Sequence, residues 1–276
     1  FAPSLAGPLA MAHNGNLVNV SALRRGMTAQ DPECTDSELA LQSMVQAPGG
    51  SWPEKVAHAM GRMDGAYCLV MLTPSQLIAC RDPMGVRPLC LGRYKQGWVI
   101  ASESCALETI GAEYVREIEP GELVVIDAEG VHSEHPVPPR PRALCVFEFI
   151  YFARPDSVIA QRSVYESRYE MGRQLAREHP VEADLVIAVP DSATAAAAGY
   201  AEESGLPFRE GLIKNRYIGR TFIQPHQSQR AGAVALKFNA LPSVLAGKRV
   251  VVVDDSIVRG TTTPPIVSLI LSLIHI

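Results

Sequence analysis

The sequence predicts two folds in series: an α+β unit built on antiparallel sheet, then an α/β unit built on a parallel, doubly wound sheet. Three observations carry this. The first half shows two amphipathic helical stretches followed by about five short apolar or alternating strands, separated by turn residues. The second half alternates continuous apolar strands with helices, the pattern of strands covered on both faces. Between them HSEHPVPPRPR (132–142) is proline-rich and aperiodic, which reads as an interdomain linker.

The elements follow in order. DSELALQSMVQ (36–46) and PEKVAHAMGRM (53–63) carry apolar residues at helical spacing, with Asp36 and Ser51 placed to cap them. AYCLVML, QLIACRD, RPLCLGR, WVIASE and ELVVID supply the strands. In the second half a helix at about 163–178 precedes the strand DLVIAV (184–189). The alanine-rich SATAAAAGYAEES is the next helix, with Asp191 and Ser192 at its start as caps, and RVVVVDD (249–255) is a second buried strand. After Pro265 the apolar run of 11 residues is too short for a bilayer, which takes about 20, and reads as a buried helix. Its last six residues, 271–276 (LSLIHI), look like a translated sequencing adaptor and are set aside from the fold.

Composition narrows the function. With 47% apolar and 20% charged residues and a mean hydropathy of +0.07, the chain of 276 residues is an ordinary globular protein. A net charge of −4 disfavours a nucleic-acid binder. Residues 1–142 carry 11 basic and 16 acidic side chains, residues 143–276 carry 14 and 13. All six cysteines lie within the first 145 residues and none forms a CxxC pair, so reduced thiols in a cytoplasm are expected. There is no signal-peptide pattern at the start.

The most informative segment is VVVVDDSIVRGTT (250–262). A four-valine strand ends in two carboxylates, then a loop with one glycine and three hydroxyls, then a helix. Loop amides and a helix N-terminus at a strand's C-terminal end make an anion pocket, to which Ser256, Thr261 and Thr262 add donors. Asp254 and Asp255 suit sugar hydroxyls or a hydrated Mg²⁺, since both seek oxygen acceptors. A solvated acidic turn is the plain structural alternative. Residues 211–253 contain seven basic residues and no acidic one, a field that attracts a multiply charged anion. A solvated basic face is the alternative there.

This loop resembles the phosphoribosylpyrophosphate (PRPP) loop of type I phosphoribosyltransferases. KNRYIGRTFIQP (214–225), FEFIYFARPDS (147–157), RDPMGVRPL (81–89), SESCAL (102–107) and AHNGNLVN (12–19) carry the likeness further, to the glutamine PRPP amidotransferase family. The resemblance runs from about residue 8 to about residue 270. It implies a truncated glutaminase domain of the N-terminal-nucleophile (Ntn) hydrolase fold at 1–142 and a truncated type I phosphoribosyltransferase domain at 143–270. The implied reaction forms 5-phosphoribosylamine from PRPP and glutamine-derived ammonia, releasing pyrophosphate and glutamate, the first committed step of purine synthesis. The alternatives are a glutamine-independent phosphoribosyltransferase and a PRPP-binding regulator.

The resemblance also assigns residues. Asn14 and the Gly15 backbone N–H would form the oxyanion hole, although HNG alone is a tight-turn signature. Asp36 would pair with the α-ammonium of glutamine. Ser192, Asp254 and Asp255 would hold Mg²⁺; Ser256, Ile257, Val258, Arg259, Gly260, Thr261 and Thr262 would hold the 5-phosphate. Lys214, Arg216 and Arg220 would belong to a loop closing over the substrate. Cys145 stands where some members carry the first cysteine ligand of a four-iron cluster, a buried structural thiol being the alternative. Purine nucleotides as inhibitors and a homo-oligomer are implied as well; no nucleic acid or membrane is. The family's nucleophile is a cysteine at the mature N-terminus, whereas residue 1 is Phe and Cys34 is in the wrong context. The chain is therefore expected to be an internal fragment without glutaminase activity of its own.

Overall fold

The computed structural model describes residues 7–25, 34–215, 238–257, 260 and 263–274. The chain divides into two compact units, Phe1–Val146 with Val158–Ala160, and Phe147–Ser157 with Gln161–Ile276.

The first unit opens with β1 (Ala10–Leu17) and α1 (Val20–Arg25), followed by α2 (Asp36–Gln46) and α3 (Trp52–Met60). Then come β2 (Gly65–Leu72), β3 (Leu77–Arg81), β4 (Cys90–Tyr94), β5 (Gly97–Ala101), α4 (Ser104–Thr109), β6 (Glu113–Glu117), β7 (Leu123–Asp127) and β8 (Gly130–Glu134). The strands form two antiparallel sheets, in orders β1-β2-β3-β7-β8 and β5-β4-β6. β2 reads as a near-continuous apolar run because both its faces are covered. Tyr67, Leu69 and Met71 pack with Leu39, Met44, Val56 and Met60 of α2 and α3. Cys68, on the opposite face, joins Ala79, Leu89 and Leu91, with Trp98 and Ile100 of the second sheet packed against them.

Two expectations are corrected here. Thr35, not Asp36, is the N-cap of α2: its hydroxyl accepts from the Glu38 amide while the Glu38 carboxylate accepts from the Thr35 amide, a capping box. This frees Asp36 for other partners. Ser51 does cap α3, with Pro53 in the first turn. HNG is no turn but part of β1, and His132–Glu134, expected in the linker, belong to β8. β8 pairs with β7 through a tight hairpin whose Glu129 amide donates to the Asp127 carboxylate.

The second unit begins with a π-helical turn, Glu148–Phe152, and α5 (Val164–Glu178); the two-residue strands β9 (Val158–Ile159) and β10 (Arg162–Ser163) fall between them in sequence. β11 (Leu185–Ala188), α6 (Thr194–Ser204), β12 (Leu212–Lys214), β13 (Phe238–Ala240), α7 (Pro242–Leu245), β14 (Val250–Val253) and α8 (Thr263–Ile274) follow. β11 and β14 pair in parallel, Leu185 opposite Val250 through Ala188 opposite Val253. Every residue of β11 is buried. Val186 and Ala188 face Ala197 and Tyr200 of α6, whereas Leu185 and Ile187 face Leu245, Ile266 and Ile270 of α7 and α8. Helices thus cover both faces of the parallel pair, the doubly wound arrangement. α5 and α6 cross at glycine: a Cβ on Gly172 would stand 1.8 Å from the Ala196 carbonyl oxygen, and one on Gly199 would stand 2.0 Å from that of Tyr169.

The capping expected of Asp191 and Ser192 is not found. The N-cap of α6 is Ala193, without a side-chain cap, because Ser192 is turned toward β14 instead. Among the described residues no helix is long and apolar enough to cross a membrane.

Candidate functional sites

In the first unit, β1 is an edge strand, so its residues are reached from one side of the sheet. Gly15 lies opposite Tyr67 in register, at φ +154°, and a Cβ there would stand 2.1 Å from the Ala66 carbonyl oxygen. Only glycine fits this close approach. The flanking side chains find different partners. Asn14 Nδ2 donates to Ser102 Oγ at 3.2 Å, and His13 Nδ1 lies 2.9 Å from Ser37 Oγ. The His13 side chain is 4% exposed and its Nε2 has no hydrogen-bond partner among the described residues.

Asp36 begins α2 and is brought to the same strand. Its Oδ2 accepts from the Leu17 amide at 3.1 Å and its Oδ1 from the Ser37 amide at 2.8 Å. The Ser37 hydroxyl also donates to Oδ1 at 3.4 Å; a carboxylate offers about four acceptor positions, so these bonds still leave capacity for an ammonium group. The structure therefore places Asp36 beside the HNG strand. Ser37 and Ser102 escape sequence reasoning because their partners lie 24 and 88 residues away. RDPMGVRPL is a buried turn. Arg81 donates to the carbonyls of Gly85, Arg87 and Ile118, and Asp82 accepts from the amides of Tyr67, Met84 and Val86. Burial pushes the Asp82 carboxyl above its ordinary range against the pull of those amides.

Cys145 is half-buried, and its amide donates to the Val86 carbonyl. The described residues contain no group of three or more His, Cys, Asp or Glu arranged to hold a metal.

In the second unit, the loops after β11 and β14 leave the same end of the parallel pair. The Ser192 hydroxyl donates to Asp255 Oδ2, Ser256 Oγ donates to Asp255 Oδ1 at 2.6 Å, and the Asp255 amide donates to Asp254 Oδ1 at 2.9 Å. Burial raises the Asp254 carboxyl above its ordinary range and the neighbouring Asp255 charge adds to this, while the Asp255 amide opposes it. Lys214, at the end of β12, is ion-paired with Asp191. Ile257 is exposed, and Gly260 takes a left-handed φ of +66° that favours glycine. Arg216, Arg220, Val258, Arg259, Thr261 and Thr262 lie outside the described residues.

An oxygen-only donor set of two carboxylates and a hydroxyl suits a hard cation such as Mg²⁺. That ion characteristically keeps several waters and takes one or two carboxylates together with substrate phosphates.

Known proteins resemble the chain along most of its length. Residues 3–109 match the glutamine amidotransferase domain family. The chain is 52% identical over 271 residues to the amidophosphoribosyltransferase of Mycobacterium tuberculosis strain H37Rv, covering 95% of this chain and 51% of that protein. Against the amidophosphoribosyltransferase of Synechocystis it is 50% identical, over 96% of this chain and 55% of the relative. The chain thus spans about half the length of these curated relatives. A solved glutamine PRPP amidotransferase from B. subtilis, complexed with ADP and GMP, matches with a TM-score of 0.87 at 43% identity, over 96% of this chain and 59% of that one.

Proposed function

We infer the function from the premise that this chain is of the amidophosphoribosyltransferase family over the length it shares with it. The protein transfers ammonia derived from glutamine to PRPP, giving 5-phosphoribosylamine, pyrophosphate and glutamate, the first committed step of purine synthesis. The observation that carries this reading is the bond from Ser192 to Asp255, which draws the loop after β11 onto the carboxylate pair after β14. A ligand-binding crevice at the carboxyl ends of parallel strands is where an open α/β sheet accommodates a substrate.

Asp254, Asp255 and Ser192 would hold Mg²⁺ in this reading, and a bound ion would supply positive charge beside the pyrophosphate group. The 5-phosphate is assigned to residues 256–262, whose sequence offers amides and hydroxyls. Lys214, Arg216 and Arg220 meet the remaining phosphate charge. In the first unit, Asn14 and the Gly15 amide stabilise the oxyanion formed during glutamine hydrolysis, and Asp36 takes the substrate's α-ammonium with its spare acceptor capacity. The B. subtilis neighbour's bound ADP and GMP support purine nucleotides as regulatory ligands. We place the protein in the cytoplasm and expect it to self-associate.

The test is pyrophosphate release from PRPP and Mg²⁺ with ammonia, and separately with nucleobases, as acceptor. The reading expects release with ammonia. Release with nucleobases alone would overturn it in favour of a glutamine-independent transferase.

A further inference from the structure

The two polar side chains of the loop after β11 each have a partner, on different strands. Ser192 is bonded to Asp255 after β14, and Asp191 is ion-paired with Lys214 at the end of β12. Lys214 is thereby neutralised by an anion of the protein's own. Asp191 is 74% exposed in its side chain and Lys214 34%, so the pair is open to exchange with a dissolved anion. Asp191 is the carboxylate paired with Lys214 between these two loops.

We propose that Asp191 is an internal competitor that occupies Lys214 in the absence of substrate and is displaced by a polyphosphate. The proposal rests on the PRPP reading of this site. Its physical basis is competition for one ammonium. A singly charged carboxylate at an exposed pair is held weakly and is screened by salt, so a pyrophosphate group of several charges displaces it. A monoanion has no such advantage. Asp191 thus lowers the affinity of any anion for Lys214 by the cost of the broken pair, a cost that a multiply charged ligand recovers.

The test is calorimetric titration of the full chain with inorganic pyrophosphate. The forms compared are wild type, Asp191→Asn, Lys214→Met and the double variant. Because Asp191 is exposed, its substitution leaves the fold intact, and Asp191→Ala serves as a second variant of the same direction. The expected result is pyrophosphate binding roughly threefold tighter in Asp191→Asn, in line with the modest strength of an exposed pair. Asp191→Asn makes no difference once Lys214 is Met. Unchanged or weaker pyrophosphate binding in Asp191→Asn overturns the proposal, as does tightening that persists in the Lys214→Met background. Mg²⁺–PRPP binding that disappears in Asp254→Asn/Asp255→Asn, combined with either of those results, overturns the proposal and leaves the PRPP reading standing. Absence of any PRPP binding overturns both.

Discussion

The Ser192 hydroxyl donates a hydrogen bond to the Asp255 carboxylate, joining residues 63 positions apart at the ends of two parallel strands. The bond orients a carboxylate that also accepts from Ser256. In the Mg²⁺ reading Ser192 acts on the ion both directly and through this bond, and outer hydrogen bonds to a ligating carboxylate are commonly worth about tenfold or more in metal affinity.

Replacing Ser192 by Ala is therefore expected to weaken Mg²⁺-dependent PRPP binding about tenfold while leaving the thermal midpoint nearly unchanged. Titration calorimetry and a melting curve measure the two. A large fall in melting temperature with unaltered affinity would assign Ser192 to the scaffold alone.

Gly15→Ala is expected to destabilise the first unit. Its Cβ would stand 2.1 Å from the Ala66 carbonyl oxygen, and backbone on the neighbouring strand has no rotamer through which to yield. The cost is about 3 kcal/mol from overpacking, with some positive-φ strain added. Chemical denaturation reads it directly, and a loss below about 1 kcal/mol would show that β1 shifts freely along β2.

A third expectation concerns acid. Glu122 is 1% exposed and accepts from both ends of the Arg116 guanidinium, from Ser133 and from the Glu119 amide. Burial alone would push its carboxyl up, but these donors hold it below the ordinary value of 4.5. A depressed carboxyl contributes stability above its unfolded value and loses it as pH falls through the folded one. The stability of the wild type should therefore decline below about pH 4.5, and that of Glu122→Gln should decline less steeply. Because Arg116 is 38% exposed, the difference is expected to be roughly 1 kcal/mol or less at pH 6. Parallel pH profiles would contradict it.

Much of this was legible in the sequence, for physical reasons that differ from place to place. DSELALQSMVQ announces α2 to the residue, because its apolar spacing and acidic first turn agree. The Asp36 cap was misplaced by one position, since Thr, Asp and Ser all cap and only the fold shows that Thr35 does so. β1 escaped because AMAHNGNL carries two Asn, a Gly and a His, all poor strand formers; pairing with β2 overrides them. β6 and β8 escaped because their strands are half or more exposed and carry glutamates. The continuous valines of β14 and the carboxylates after it were plain. The bond from Ser192 to Asp255 was not, because a serine before an alanine-rich helix reads locally as a cap and its true partner comes from a distant strand.

The central claim is that Asp254 and Asp255 serve Mg²⁺ and PRPP. Its most direct test is calorimetric titration of Mg²⁺–PRPP into the wild-type chain and into Asp254→Asn/Asp255→Asn. The account predicts binding in the first and none detectable in the second, with folding of both confirmed by circular dichroism. Equal affinity in the two chains would contradict it.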